Sequence, residues 1–126
     1  MKKGIIYARH LETRECEKTV EEQVKECEKF AKENEIEIVD SYCDYLYDKD
    51  RNPNAFDLLL SKIKKEQVDY VIVFDSSVLG RKGTKVEKLM KNIYSSGKEY
   101  VDVSNNDKEV TKLFNFIQKQ LYNFKI

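Results

Sequence analysis

Four arginines, Arg9, Arg14, Arg51 and Arg81, are the only ones in the chain. Arg9 ends the apolar run Ile5-Ile6-Tyr7-Ala8 and is followed by His10 and Leu11. A buried strand that ends this way delivers charged side chains to the rim of a sheet, where α/β proteins bind ligands. A planar guanidinium pairs with phosphate oxygens two at a time, so clustered arginines could hold a phosphate or stabilise charge building on one. Hydroxyls stand close by in sequence: Thr13 after the first run, and Ser76 and Ser77 before Arg81. The plainer alternative is a set of solvated arginines in a charge-rich surface, and the residues alone leave both readings open.

Other chemistries have less to work with. His10 is the sole histidine, and Cys16, Cys27 and Cys43 are odd in number and widely spaced. Four zinc ligands are hard to assemble from these, so no metal site and no cofactor is expected. The cysteines read as reduced thiols of a cytosolic protein, with Cys27 in the core. No Gly-rich phosphate loop follows the first strand, because Gly4 and Gly80 are in the wrong places. With 23 basic and 23 acidic residues, the net charge is zero. That gives no global attraction to DNA or an anionic membrane, so DNA binding would need clustered Lys/Arg or a separate domain. The absence of a signal peptide or long apolar run points to a cytoplasmic protein that does not enter membranes.

The elements that would position the arginines alternate between strand and helix. Residues 3 to 8 read as a strand. Thr19, with Glu22 three residues on, marks a capped helix start, and Val20, Val24, Cys27, Phe30 and Ala31 share one face. Glu35 to Cys43 reads as a second strand. Asn52-Pro53 opens a helix with buried positions Phe56, Leu59, Leu60 and Ile63. Val68 to Phe74 is apolar enough for a central parallel strand. Asp75 to Gly83 reads as a loop, and Thr84 with Glu87 as a second capping box. Val86, Leu89, Met90 and Ile93 form the next stripe, and Gly97 marks its C-terminal stop. Tyr100 to Val103 is a fourth strand.

A last helix is expected over residues 107–126. Val110, Leu113, Phe114, Ile117, Leu121 and Phe124 recur three or four apart, with Phe116, Tyr122 and Ile126 also apolar. So broad a stripe suggests a protein partner, although it could fold back on its own domain. The order predicts a three-layer α/β fold: a mostly parallel sheet of four to five strands, helices on its faces, and a protruding C-terminal helix. Residues 1–104 form the domain and residues 107–126 the helix. The loops after the strands, Arg9 to Arg14, Asp44 to Arg51 and Asp75 to Arg81, then share one rim.

Five segments in this order resemble the catalytic domain of the serine recombinases, the resolvase/invertase family. They are Gly4-Ile-Ile-Tyr-Ala-Arg9; Thr19-Val-Glu-Glu-Gln23 with Cys27 and Phe30 to Asn34; Arg51-Asn-Pro-Asn-Ala-Phe56 with Leu59-Leu60; Val71 to Phe74 through Leu79-Gly-Arg81; and Lys112 to Ile117 through Phe124. The resemblance implies site-specific DNA recombination by mobile elements, in which a serine attacks a phosphodiester and arginines hold the phosphate. It also implies that residues 107–126 begin a helix that pairs subunits.

The site itself departs from the family pattern. The serine of Tyr-x-Arg-x-Ser falls on Leu11, which cannot attack phosphorus. The Asp-Arg pair of Asp-Arg-Leu-x-Arg falls on Ser77 and Val78. The arginine of Arg-Pro-x-Phe falls on Pro53, with Arg51 displaced. No catalytic set is intact: the remnant is Arg9, Leu11, Arg51, Ser77 and Arg81. The expectation is an inactive domain that forms a homo-oligomer or pairs with an active recombinase. Within these residues no DNA-binding module is expected, so on their own they are expected to be a weak partner for DNA. An active recombinase using another hydroxyl and a small phospho-ligand-binding module are the alternatives.

Overall fold

A computed structural model describes residues 1–9, 19–45, 55–65, 67–79 and 83–105. Strand β1 (Lys2–Arg9) leads to helix α1 (Val20–Glu33), β2 (Ile36–Asp44), α2 (Ala55–Lys65), β3 (Tyr70–Val73), a 3-10 turn (Ser76–Leu79), α3 (Gly83–Ser95) and β4 (Glu99–Asp102). A second 3-10 turn, Val103–Asn105, follows β4. Residues 107–126, the expected pairing helix, lie outside the described residues.

The four strands are all parallel, in the order β2-β1-β3-β4. This is the expected doubly covered sheet, and alternation along β1 separates its two faces. Ile5 and Tyr7 join Phe56, Leu59 and Ile63 of α2 and Leu89, Met90, Ile93 and Tyr94 of α3. Ile6 points the other way, to Cys27 and Ala31 of α1. Residues Gly4 to Ala8 are buried without a break, as a central strand between two helical layers requires.

Local chemistry explains the element ends. Thr19 caps α1 by accepting from the Glu22 N–H at 3.1 Å. Its hydroxyl then donates to Glu22 Oε1, also at 3.1 Å. Helix α3 stops in a Schellman arrangement: Gly97 N–H bonds the Tyr94 carbonyl and Lys98 N–H the Ile93 carbonyl. Gly97 sits at φ 74°, where a Cβ is unfavourable. At Gly4 the reason for glycine is space: a Cβ would come within 3.0 Å of Ile36 and 3.1 Å of Ile72.

Four expectations need correction. The register of β2 on β1 jumps from Gly4↔Ile38 to Ile5↔Asp40, so Val39 is an inserted bulge residue. Ile36 and Ile38 pack toward α1, whereas Tyr42 packs toward α2 and α3. A single alternating strand would have put them all on one side. Strands β3 and β4 are shorter or shifted; Val68 is buried just before β3 rather than within it. The segment after β3 is not all loop, because Ser76 to Leu79 forms a helical turn. Helix α3 begins at Gly83, one residue ahead of Thr84, so Thr84 lies within the helix and not at its N-cap. Helix ends shift by this much when the first turn can start on either residue.

Candidate active site at the strand rim

A parallel sheet brings all its strand C-termini to one edge, and the site is built there. In register, Arg9 stands beside Asp44, Tyr7 beside Val73, and Val73 beside Asp102. Of the remnant residues, Arg9 is placed at the end of β1, half-buried, and Ser77 lies in the 3-10 turn after β3. Leu11, Arg51 and Arg81 lie outside the described residues, as do His10, Thr13, Arg14, Pro53 and the interface set Val110, Leu113, Phe114, Ile117, Leu121 and Phe124.

Three residues, two of them within the segments that carry the family resemblance, hold this edge together. Asp44 is the first. Its Oδ2 accepts from the Tyr7 hydroxyl at 2.7 Å and from the Phe56 N–H at 3.1 Å. Its Oδ1 accepts from the Ala55 N–H at 2.8 Å. The first N–H groups of a helix have no partner within it, and a carboxylate there also meets the positive end of the helix dipole. Asp44 therefore caps α2 from the end of another strand.

Tyr7 is the second. Its ring is fully buried and packs edge-on against Phe56, with centroids 5.5 Å apart. Burial pushes its phenol far above the ordinary tyrosine range, and the hydrogen bond to Asp44 and the charge of Asp44 add to this. The nearby Arg9 charge acts in the opposite direction but is outweighed. A neutral, enclosed phenol that already donates its proton is not available to attack a phosphodiester.

The third is Gln23, on α1. Its side-chain amide is wholly buried and grips the backbone of Arg9 on both sides. Nε2 donates to the Arg9 carbonyl at 2.9 Å, and the Arg9 N–H donates to Oε1 at 3.2 Å. The signal in the sequence was a polar residue within the apolar stripe, three after Val20 and four before Cys27.

The rim beyond β3 is built differently. Val78 and Leu79 are buried in the core shared with α2 and α3, and Val78 N–H closes the turn on the Asp75 carbonyl. Val78 is thus a packing residue. Past it, Ser104 Oγ lies 2.7 Å from Asp75 Oδ2 and 2.8 Å from Asp102 Oδ1. Among the described residues this side of the rim presents carboxylates, which repel phosphate, and a hydroxyl engaged with them.

Among the described residues no three His, Cys, Asp or Glu side chains are grouped to hold a metal ion, and no helix is long and apolar enough to cross a membrane. Cys27 is in the core as expected, and burial, followed by the charges of Asp102, Glu26 and Glu28, pushes its thiol up to about 12. Two shallow grooves lie at the opposite edge of the sheet, one by Lys3, Gly97 and Lys98 and the other by Lys2, Asn34 and Glu35. Neither is lined by Arg9.

Comparison with known proteins places this geometry. Among curated proteins nothing matches. Among solved structures, the N-terminal catalytic domain of TP901-1 integrase is similar in fold, with a TM-score of 0.73 at 22% identity. The match covers 98% of this chain and 96% of that one. A resolvase family site-specific recombinase from Streptococcus pneumoniae gives 0.69 at 22% identity, over 99% of this chain and 88% of that one. The C-terminal catalytic domain of ISC1926 TnpA, an IS607-like serine recombinase, gives 0.65 at 18% identity, over 91% and 79%. The model of the resolvase N-terminal domain matches residues 4–124, nearly the whole chain, which therefore belongs to the resolvase N-terminal domain family.

Proposed function

We propose that this chain is a serine-recombinase domain that no longer exchanges DNA strands and works as a non-cleaving subunit, joined through residues 107–126 to a second copy or to an active recombinase. The observation that carries the reading is Val78. Its side chain, 0% exposed, is part of the core where the family pattern supplies an arginine to the phosphate. Leu11 at the nucleophile position and Ser77 at the carboxylate position point the same way. A misplacement of about 1 Å can cost ~100-fold in rate. Another hydroxyl acting without most of the arginine clamp faces a larger deficit. Arg9 persists, so contact with the DNA backbone is compatible with the loss of chemistry.

Incubation with supercoiled DNA carrying candidate recombination sites should give no covalent protein–DNA adduct. An adduct abolished by Thr13→Ala or Ser77→Ala would overturn the reading. Sedimentation should show association with itself or with an added recombinase that Phe114→Asp and Ile117→Asp remove. A monomer indifferent to both changes and to any recombinase would count against the pairing role.

A further inference from the structure

We infer that Gln23 is a positioning residue for Arg9: by gripping both backbone groups of Arg9, it fixes the direction in which the guanidinium leaves the rim. The inference rests on the reading of that rim as a face toward DNA phosphate.

Strand β3 pairs with β1 over Gly4 to Tyr7 and stops at Val73. Arg9, the last residue of β1, lies beyond the last of these pairs, with only β2 beside it, at Asp44. There the amide of Gln23 supplies what a neighbouring strand supplies further down: one acceptor for the N–H, at 3.2 Å, and one donor for the carbonyl, at 2.9 Å. The two contacts form a pair on one planar group, so they resist rotation of the Arg9 peptide as well as displacement. Gln23 is itself fully buried against the sheet, in a helix capped at Thr19. On the opposite face, Tyr7, two residues earlier, is tied to Asp44. The backbone that carries Arg9 is therefore held from both layers. The purpose is not supplied by packing alone, since an aliphatic residue fills a helix–sheet interface without bringing a polar amide into it. An arginine whose backbone is fixed loses less freedom on meeting a phosphate, which is the benefit of preorganisation.

The test is a double-mutant cycle read by DNA binding, with a spectroscopic readout that needs no DNA. Gln23→Met keeps the length and loses both contacts; Gln23→Glu keeps the acceptor and is the second variant if Met fails to fold. The full chain is titrated onto a labelled duplex at several salt concentrations. Arg9→Ala should weaken binding and lower the salt slope by about one phosphate contact. Gln23→Met should produce a large part of the same loss, and nothing further when added to Arg9→Ala. An equal loss from Gln23→Met with or without Arg9 would overturn the inference, because it would mean a general effect on the fold. In parallel, relaxation of the 15N-labelled Arg9 Nε–H should show a more mobile guanidinium in the Gln23 variants. Unchanged mobility would also overturn it. If the unaltered chain shows no Arg9-dependent DNA binding, the phosphate-facing reading of the rim fails, while the Nε measurement still decides the positioning role.

Discussion

The two halves of the rim are built in opposite ways. On the β1–β2 side, one set of hydrogen bonds ties Tyr7 and Asp44 to the start of α2, and a second ties Arg9 to Gln23 of α1. On the β3 side, the 3-10 turn tucks Val78 and Leu79 into the core, and the polar groups that follow are Asp75, Asp102 and Ser104. The first half keeps the groups that shape a site. The second turns Val78 and Leu79 into the core. Such a split is understandable, because groups that cap helices and complete a sheet also stabilise the fold. A nucleophile and its phosphate clamp do not, so they can be lost without unfolding the chain. Leu11 and Val78 are both aliphatic, and Val78 contributes to the core.

This contrast can be broken most forcefully at Val78. Val78→Arg should cost about 4 kcal/mol or more, because the site offers a charge no water and core neighbours on every side. Denaturant unfolding would measure it. A tolerated arginine would mean that the turn opens readily and that the β3 half is still poised as a site.

The intact half should show a smaller, graded response. Asp44→Ala removes the partner of a buried phenol and two helix N–H groups, a loss of about 2–3 kcal/mol. Tyr7→Phe leaves the cap in place and should cost about 1 kcal/mol. Equal losses in the two variants would show that the cap contributes little. A weaker effect of Asp44→Ala than of Tyr7→Phe would break the claim that Asp44 joins the strand to the helix.

A gentler probe of the same half is alkaline titration. The folded state raises the Tyr7 ionisation above its unfolded value. The stabilisation this represents is fully present below the ordinary tyrosine value, about 10. It is lost as pH rises through the folded value. Stability should therefore decline above about pH 10, and less steeply in Tyr7→Phe. Parallel curves for the two proteins would show that Tyr7 is not held neutral by its surroundings.

Much of the fold was legible because it follows from local rules. The apolar run before Arg9, the Thr19 cap and Gly97 each carry their structural meaning within a few residues. The bulge at Val39 was not legible, because a period-of-two reading presumes an unbroken strand, whereas here the Gly4 to Ile5 step resets the register. Nor was Val78 visible as a core residue: one valine among Ser76, Ser77 and Leu79 shows no periodicity, and its burial is in a core cluster built from β1, α2, β3 and α3. The roles of Asp44 and Gln23 depend on partners 11 to 37 residues away. Sequence reading found the residues that resemble chemistry. It did not find what Tyr7, Gln23 and Asp44 bond to, because such a contact is a relation between elements.

The central claim is that several losses, and not Leu11 alone, separate this chain from strand exchange. Leu11→Ser returns a hydroxyl to the nucleophile position and leaves Ser77 and Val78 unchanged. Incubated with supercoiled DNA and trapped by denaturation, this variant should form no covalent protein–DNA adduct, like the unaltered chain. An adduct formed by Leu11→Ser, linked through residue 11, would contradict the account and show a site complete but for one atom.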